Sequence, residues 1–110
     1  MTSSSRYFFR SPIIFDGGNL ALNFATSGAG SVRVELQEPE GTPIAGHALA
    51  DGPEIYGDHL RFIVRWNDAG GDLRAWAGRP VRLRFVLRDA DLYSLQFVPW
   101  EPEPDYPDLT

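Results

Sequence analysis

Regular alternation of apolar and polar side chains most limits what this chain of 110 residues can fold into. Residues 19–25, 31–38, 60–66, 81–88 and 92–98 all show this alternation, which brings every second side chain to one face. In a β-strand, successive side chains point to opposite faces of the sheet. Each run therefore predicts a strand with one buried face, and both Leu60 and Tyr93 are expected to point inward.

Turn-forming residues separate these runs. Gly, Asn, Asp, Ser or Pro cluster at residues 16–19, 27–30, 39–42 and 67–71. Such residues tolerate positive φ or form Asx turns, so we expect hairpin and corner connections there. Weaker strands are predicted at residues 7–10, 12–15 and 43–45.

One segment has a different pattern. Asp72 can cap a single helical turn and Gly78 can end it, which predicts one short helical turn near Asp72–Ala77. Seven or eight short strands without a long helical pattern favour an all-β, two-sheet antiparallel β-sandwich. A jelly-roll type is preferred over an immunoglobulin-like type.

The length fits one domain. Residues 1–6 are predicted to be a disordered N-terminal segment, residues 7–98 the β-sandwich, and residues 99–110 a tail in which proline alternates with acid. That alternation favours extended polyproline II structure, and we expect Trp100 and Tyr106 either to pack back on the body or to contact a neighbouring domain. No apolar run approaches the roughly 18 residues of a membrane helix, and no secretory signal is recognised, so a soluble chain of unknown compartment is expected.

Composition removes several kinds of chemistry. The chain has no cysteine, which excludes disulfides, thiolate metal sites and cysteine nucleophiles. Nucleophile-elbow, phosphate-loop and dinucleotide-binding motifs are absent from it. The formal net charge of −5 weakens attraction to nucleic acid. His47 and His59 match no zinc motif and are predicted to be surface or hydrogen-bonded loop residues.

Two kinds of residue are candidates for binding a glycan. Aromatic rings stack on the apolar face of a sugar, and Trp76 and Tyr56 lie in predicted turns, whereas Trp66 is in phase with the core. Arginines also alternate with apolar residues on three predicted strands and are expected to share one outward face: Arg33, Arg61, Arg65, Arg82 and Arg84. That face can bind an acidic polymer, pair with Glu35 across strands, or be covered by another domain.

Acidic residues suggest two further sites. Calcium prefers hard oxygen ligands in loops, which makes a possible site of Asp16, Asn19, Asp89 and Asp91. A glycan hydrolase needs two acids about 5 to 10 Å apart, and the candidates are Asp51, Glu54, Asp58, Asp89 and Asp91. Because a sandwich of this size offers no deep cleft for a sugar ring, catalysis is disfavoured.

Three stretches carry a family resemblance: FATSGAGSVRVELQ at residues 24–37, IYGD at 55–58, and LRAWAGRPVRLRFVLRDADLYSLQF at 73–97. They resemble the C-terminal β-sandwich region of bacterial propeller-type glycoside hydrolases, the β-fructosidase family 32-like and sialidase-fold proteins. The resemblance extends from about Arg10 to Val98. It implies that the catalytic acids belong to a separate propeller, whose acid-bearing motifs are absent from this sequence.

These observations predict a noncatalytic accessory module of a carbohydrate-active enzyme, with weak glycan binding or docking to a catalytic domain as its role. Its expected partners are a carbohydrate or an adjacent catalytic domain, not nucleic acid or a membrane, and an oligomer is possible. The alternative is a purely structural or oligomerising β-sandwich without a ligand. A small glycan hydrolase is the third hypothesis.

Overall fold

The computed structural model describes residues 5–9 and 12–102, with side chains from residue 12 onward. Four strands form one antiparallel sheet in the order β1-β4-β2-β3. Their bounds are Ser5–Phe9 (β1), Asn19–Gln37 (β2), Asp58–Ile63 (β3) and Arg82–Val98 (β4), and short 3-10 turns cover Leu49–Asp51 and Arg74–Trp76. The predicted all-β class is confirmed. A two-sheet sandwich is not shown, because these strands belong to a single hydrogen-bonded sheet.

The long strands β2 and β4 form the centre of the sheet. Their ladder extends from Asn19 opposite Val98 to Gln37 opposite Arg82. Strand β3 pairs with the first half of β2, whereas β1 pairs with the first half of β4. Beside the second half of β2, the backbone of Ile55 exchanges hydrogen bonds of 2.7 and 2.8 Å with Val32. The chain before β3 therefore covers an edge that would otherwise be exposed.

The turn predicted at residues 27–30 is wrong. Residues 19–25 and 31–38 belong to one strand, β2, and residues 81–88 and 92–98 likewise join into β4. The β2–β4 register moves from Thr26 opposite Ala90 to Ser31 opposite Arg88. Four residues of β2 thus face a single intervening residue, Asp89, whose φ is +45°. The glycine-rich stretch forms a wide bulge and the strand continues through it.

The main hydrophobic core receives side chains from both halves of the sheet. Its largest fully buried side chains are Trp66, Phe24 and Phe85. The Trp66 indole Nε1–H donates a 3.1 Å hydrogen bond to the carbonyl oxygen of Val34. The prediction that Trp66 is buried is therefore confirmed, and its polar atom has the partner that burial requires.

Two residues predicted to point inward are exposed: the prediction is wrong for Leu60, which is 84% exposed, and for Tyr93, which is 63% exposed. Asn23 of β2 pairs with Ser94 of β4, and the next residue of β2, Phe24, pairs with Leu92. Tyr93 therefore has no partner residue in β2 and forms a bulge. A matching irregularity in β3 puts two residues opposite Asn23. A bulge shifts the alternation of a strand by one residue, which turns these side chains to solvent.

The predicted short helical turn is confirmed as the 3-10 turn Arg74–Trp76. Asp72 Oδ1 accepts a 3.0 Å hydrogen bond from the backbone N–H of Arg74, and Gly78 follows the turn with a φ of +83°. No helical segment in the described part of the chain is long and apolar enough to cross a membrane.

Candidate functional site

A cleft of about 210 Å³ opens where the start of β2 meets the end of β4. It lies between the loop of residues 67–72 and the segment that follows β4. Backbone of residues 69–71 forms part of its lining, and the larger side chains in it are Asn19, Arg65, Asp72, Trp100 and Glu101.

The buried side chain of Asn19 joins the two walls of this cleft. Its Nδ2 donates a 2.7 Å hydrogen bond to the carbonyl oxygen of Gly71 in one wall. Its Oδ1 accepts a 2.7 Å hydrogen bond from the backbone N–H of Glu101 in the other wall. Because Asn19 is 2% exposed, these bonds fix both walls to the first residue of β2.

Trp100 forms the aromatic part of the cleft. The guanidinium carbon of Arg74 lies 3.7 Å from the centre of its ring, a cation–π contact. A Cβ added at Gly18 would lie 2.8 Å from the Trp100 Cα, so glycine allows this close approach. The first residues after β4 thus pack on the body of the domain. This is the first of the two arrangements expected for Trp100. Tyr106 lies outside the described residues.

Both carboxylates of the cleft are paired with arginine. Arg61 Nη2 lies 2.6 Å from Glu101 Oε1, and Arg74 Nη2 lies 2.8 Å from Asp72 Oδ2. The hydrogen bond from Arg61 lowers the pKa of Glu101, and the one from Arg74 lowers the pKa of Asp72. Both groups are therefore ionised at neutral pH.

The Arg61–Glu101 pair gives a direct test of this cleft. A carboxyl whose pKa is lowered by folding favours the folded state above its ordinary pKa and loses that contribution as the pH falls through the lowered value. We expect the Glu101 side-chain carboxyl, followed by carbon-13 NMR, to titrate below an unstructured glutamate, and Arg61→Gln to return it towards the ordinary value. An unchanged midpoint in Arg61→Gln would contradict the pairing.

Neither carboxylate of the cleft has the raised pKa of a general acid. A glycosidase needs one carboxyl that keeps its proton until it reaches the leaving group. Asp72 and Glu101 have the opposite perturbation. The cleft lining contains none of the acids proposed for hydrolysis: Asp51, Glu54, Asp58, Asp89 and Asp91. Asp51 instead accepts a 3.0 Å hydrogen bond from the backbone N–H of Ala48.

The aromatic residues predicted to bind a sugar are not brought together. Trp76 is partly buried and makes an edge-to-face contact with His47, at 4.7 Å between ring centres. Tyr56 is 70% exposed. Neither residue lines the cleft.

The predicted arginines separate into two groups. Arg65 lines the cleft and Arg61 pairs with Glu101 beside it. Arg82 and Arg84 lie on the other half of the sheet, in register with Gln37 and Glu35. The expectation of one shared outward face is therefore wrong, because Arg61 lies in β3 and Arg65 just after it, beside the first half of β2, whereas Arg82 and Arg84 face the second half of β2.

His47 is a hydrogen-bonded loop residue, as predicted, whereas His59 is exposed but lies in strand β3 and not in a loop. His47 is 2% exposed, its Nδ1 lies 3.1 Å from the Ala45 carbonyl oxygen, and its ring also packs on Trp66. His59 is exposed and its ring contacts Phe24. His47 thus contributes to the core.

The four calcium candidates do not converge. Asn19 pairs with Val98 and Asp91 pairs with Ala25, six residues further along β2, or roughly 20 Å at about 3.3 Å per residue. Both side-chain polar atoms of Asn19 are hydrogen-bonded to backbone. Among the described residues, no group of three or more His, Cys, Asp or Glu is placed to hold a metal ion. Calcium binding stays a prediction of the sequence.

Sequence reasoning missed Trp100, Asp72 and Glu101 as parts of one site. The sequence pattern indicates a helix cap at Asp72 and places Trp100 and Glu101 in a tail. A signal was present in Asn19, a polar residue directly before the apolar alternation of β2. Buried amides need partners, and those partners define the cleft.

The fold and the cleft define a small all-β protein with a polar, aromatic-lined site at one end of its sheet. No protein-family model, curated protein or solved structure matches this chain.

Proposed function

We propose that the chain is a noncatalytic accessory module of a carbohydrate-active enzyme and that its cleft binds a glycan weakly. The observation that carries this proposal is the placement of two ionised, arginine-paired carboxylates beside Trp100. The resemblance to the C-terminal sandwich of propeller-type glycoside hydrolases supports the same function.

Each part of the cleft has a role in this proposal. Carboxylate oxygens of Asp72 and Glu101 accept hydrogen bonds from sugar hydroxyls, and Arg65 donates them. Trp100 supplies apolar surface for a sugar ring. The cleft is smaller than a typical ligand pocket of about 300–1,000 Å³, which is suited to one sugar unit and to weak affinity.

The two-sheet, jelly-roll organisation also remains a proposal. The wide bulge at residues 27–30 divides β2 into two halves, and both halves contribute to one core. A bend at this bulge would let the halves pack as two layers. The shared core supports this arrangement.

The alternative function is docking to a catalytic domain or self-association without a glycan. It is favoured by one observation, the exposure of Leu60 and Tyr93. Both side chains belong to bulges that flank Asn23, on the two strands beside β2. Exposed large apolar side chains at neighbouring positions of a sheet are typical of interaction surfaces.

Affinity electrophoresis through neutral and acidic polysaccharides, with and without calcium, tests the glycan proposal. We expect retardation of the native chain on a neutral polysaccharide. Trp100→Ala should weaken association about tenfold, the equivalent of ~1.4 kcal/mol, because it removes the apolar contact. Glu101→Gln should weaken it several-fold, since a neutral amide is a poorer acceptor.

Tyr56→Ala is the matched control, since it removes an exposed aromatic residue outside the cleft and should leave retardation unchanged. Circular dichroism establishes that each variant is folded. Absence of retardation on every polysaccharide would eliminate glycan binding and leave the docking function. If Trp100→Ala is retarded as strongly as the native chain, the glycan binds at a site other than the cleft.

A further inference from the structure

A second cluster of polar side chains lies on the half of the sheet away from the cleft. Arg33, Glu35 and Gln37 alternate along β2, and Arg84 and Arg82 of β4 lie opposite the last two of these. Alternation and register place all five on one face, which we call the arginine face. It carries three cations and one carboxylate.

The carboxylate of this face is largely engaged by neutral donors. Glu35 is 4% exposed and accepts hydrogen bonds from Gln37 Nε2 at 2.6 Å and from the backbone N–H of Leu49 at 3.1 Å. Arg84 Nη1 is more distant, at 3.9 Å. Glu35 therefore offsets the charge of one arginine of this face, Arg84, and the other two have no such partner in the described part of the chain.

Arg33 and Arg82 have no acidic partner on this face. Arg33 Nη2 donates a 2.9 Å hydrogen bond to the neutral carbonyl of Leu49. The Nε atoms of Arg33 and Arg82 are buried and lack a hydrogen-bond partner among the described residues. Among the described residues, no carboxylate lies within 4.0 Å of the guanidinium of Arg33 or of Arg82.

Buried donors without an acceptor are unfavourable, and guanidinium groups pair best with carboxylates. The excess of positive charge, with Arg33 and Arg82 lacking an acidic partner among the described residues, therefore favours an anionic acceptor supplied by a ligand. The face is accessible, because the side chain of Arg84 is 28% exposed.

We propose that the arginine face binds carboxylate groups of a uronate-bearing glycan. The choice of a glycan depends on the proposed function, but the site is separate from the cleft. Nucleic acid is the less favoured anion, because the proposed function concerns glycans, and its competition with the oligomer is one outcome of the test.

Isothermal titration calorimetry with a galacturonate oligomer at low ionic strength tests this proposal. We expect binding by the native chain, weakened by added salt, and no binding of the same oligomer after methyl esterification of its carboxylates. The double variant Arg33→Gln/Arg82→Gln should bind at least tenfold more weakly. Arg79→Gln is the control for charge, because Arg79 is already paired with Glu38 at 3.0 Å, and it should change affinity less than twofold.

Four outcomes would overturn the proposal: no binding of the oligomer, equal binding of the methyl ester, equal losses in Arg79→Gln and the double variant, or equal displacement of the oligomer by DNA. Retardation on a neutral polysaccharide measures binding at the cleft alone. It should therefore be unchanged in Arg33→Gln/Arg82→Gln, provided that this variant is folded. If uronate binds but no neutral polysaccharide does, neutral-glycan binding at the cleft fails while the arginine face stands. If a neutral polysaccharide binds but the uronate oligomer does not, the proposal for the arginine face fails while glycan binding at the cleft stands.

Discussion

Trp66→Ala is expected to destabilise the domain by about 3–5 kcal/mol, enough to unfold much of the population at physiological temperature. The side chain is 2% exposed and packs against the ring of His47, at 4.8 Å between ring centres. Its removal leaves a cavity in the core. It also leaves the buried carbonyl of Val34 without its hydrogen-bond donor.

Urea unfolding followed by far-UV circular dichroism measures this effect. Trp66→Phe keeps much of the ring volume and removes the indole N–H, so that a smaller loss of about 1–3 kcal/mol is expected. Leu60→Ala is the control, because Leu60 is 84% exposed and should change stability by less than about 0.5 kcal/mol. Similar losses in Trp66→Ala and Leu60→Ala would contradict the described core.

Gly30→Ala is the second substitution with a large expected effect. A Cβ at this position would clash with the carbonyl oxygen of Asp89 and lie 2.6 Å from that of Arg88. Both obstacles are backbone atoms of β4, which cannot turn aside as a side chain can. We therefore expect a loss of about 3 kcal/mol in the free energy of unfolding, at the upper end for overpacking.

Gly28→Ala is the matched control for that substitution. It lies in the same wide bulge, and a Cβ there meets no atom within 4 Å. We expect its midpoint of urea unfolding to equal or exceed that of the native chain, because alanine restricts the unfolded state. If both variants unfold at the native midpoint, β2 and β4 do not approach each other closely at Gly30.

The sequence predicts the strands well where alternation is unbroken. Val81, Leu83, Phe85 and Leu87 are all buried, as their spacing indicates. Turn-forming residues predict the connections less well, because a glycine-rich segment can form either a hairpin turn or a wide bulge. Only the partner strand decides between them, and β4 continues past residues 27–30.

Bulges are also the reason that Leu60 and Tyr93 are assigned to the wrong face. A bulge depends on the register between two strands, and composition contains no mark of it. The cleft was missed for a related reason, since its walls meet only when Asn19 bonds to Gly71 and Glu101. Contacts between distant segments are set by tertiary packing.

The β2–β4 ladder also has a consequence for how fast the chain folds. Even the paired residues that are nearest in sequence, Gln37 and Arg82, are separated by all of β3 and by the segments before and after it. No β-hairpin turn joins the two central strands, so that the ladder cannot grow outward from a local nucleus. High contact order of this kind slows folding to milliseconds or longer. A nascent chain that ends before β4 leaves one side of β2 unpaired, exposing a long edge to other chains.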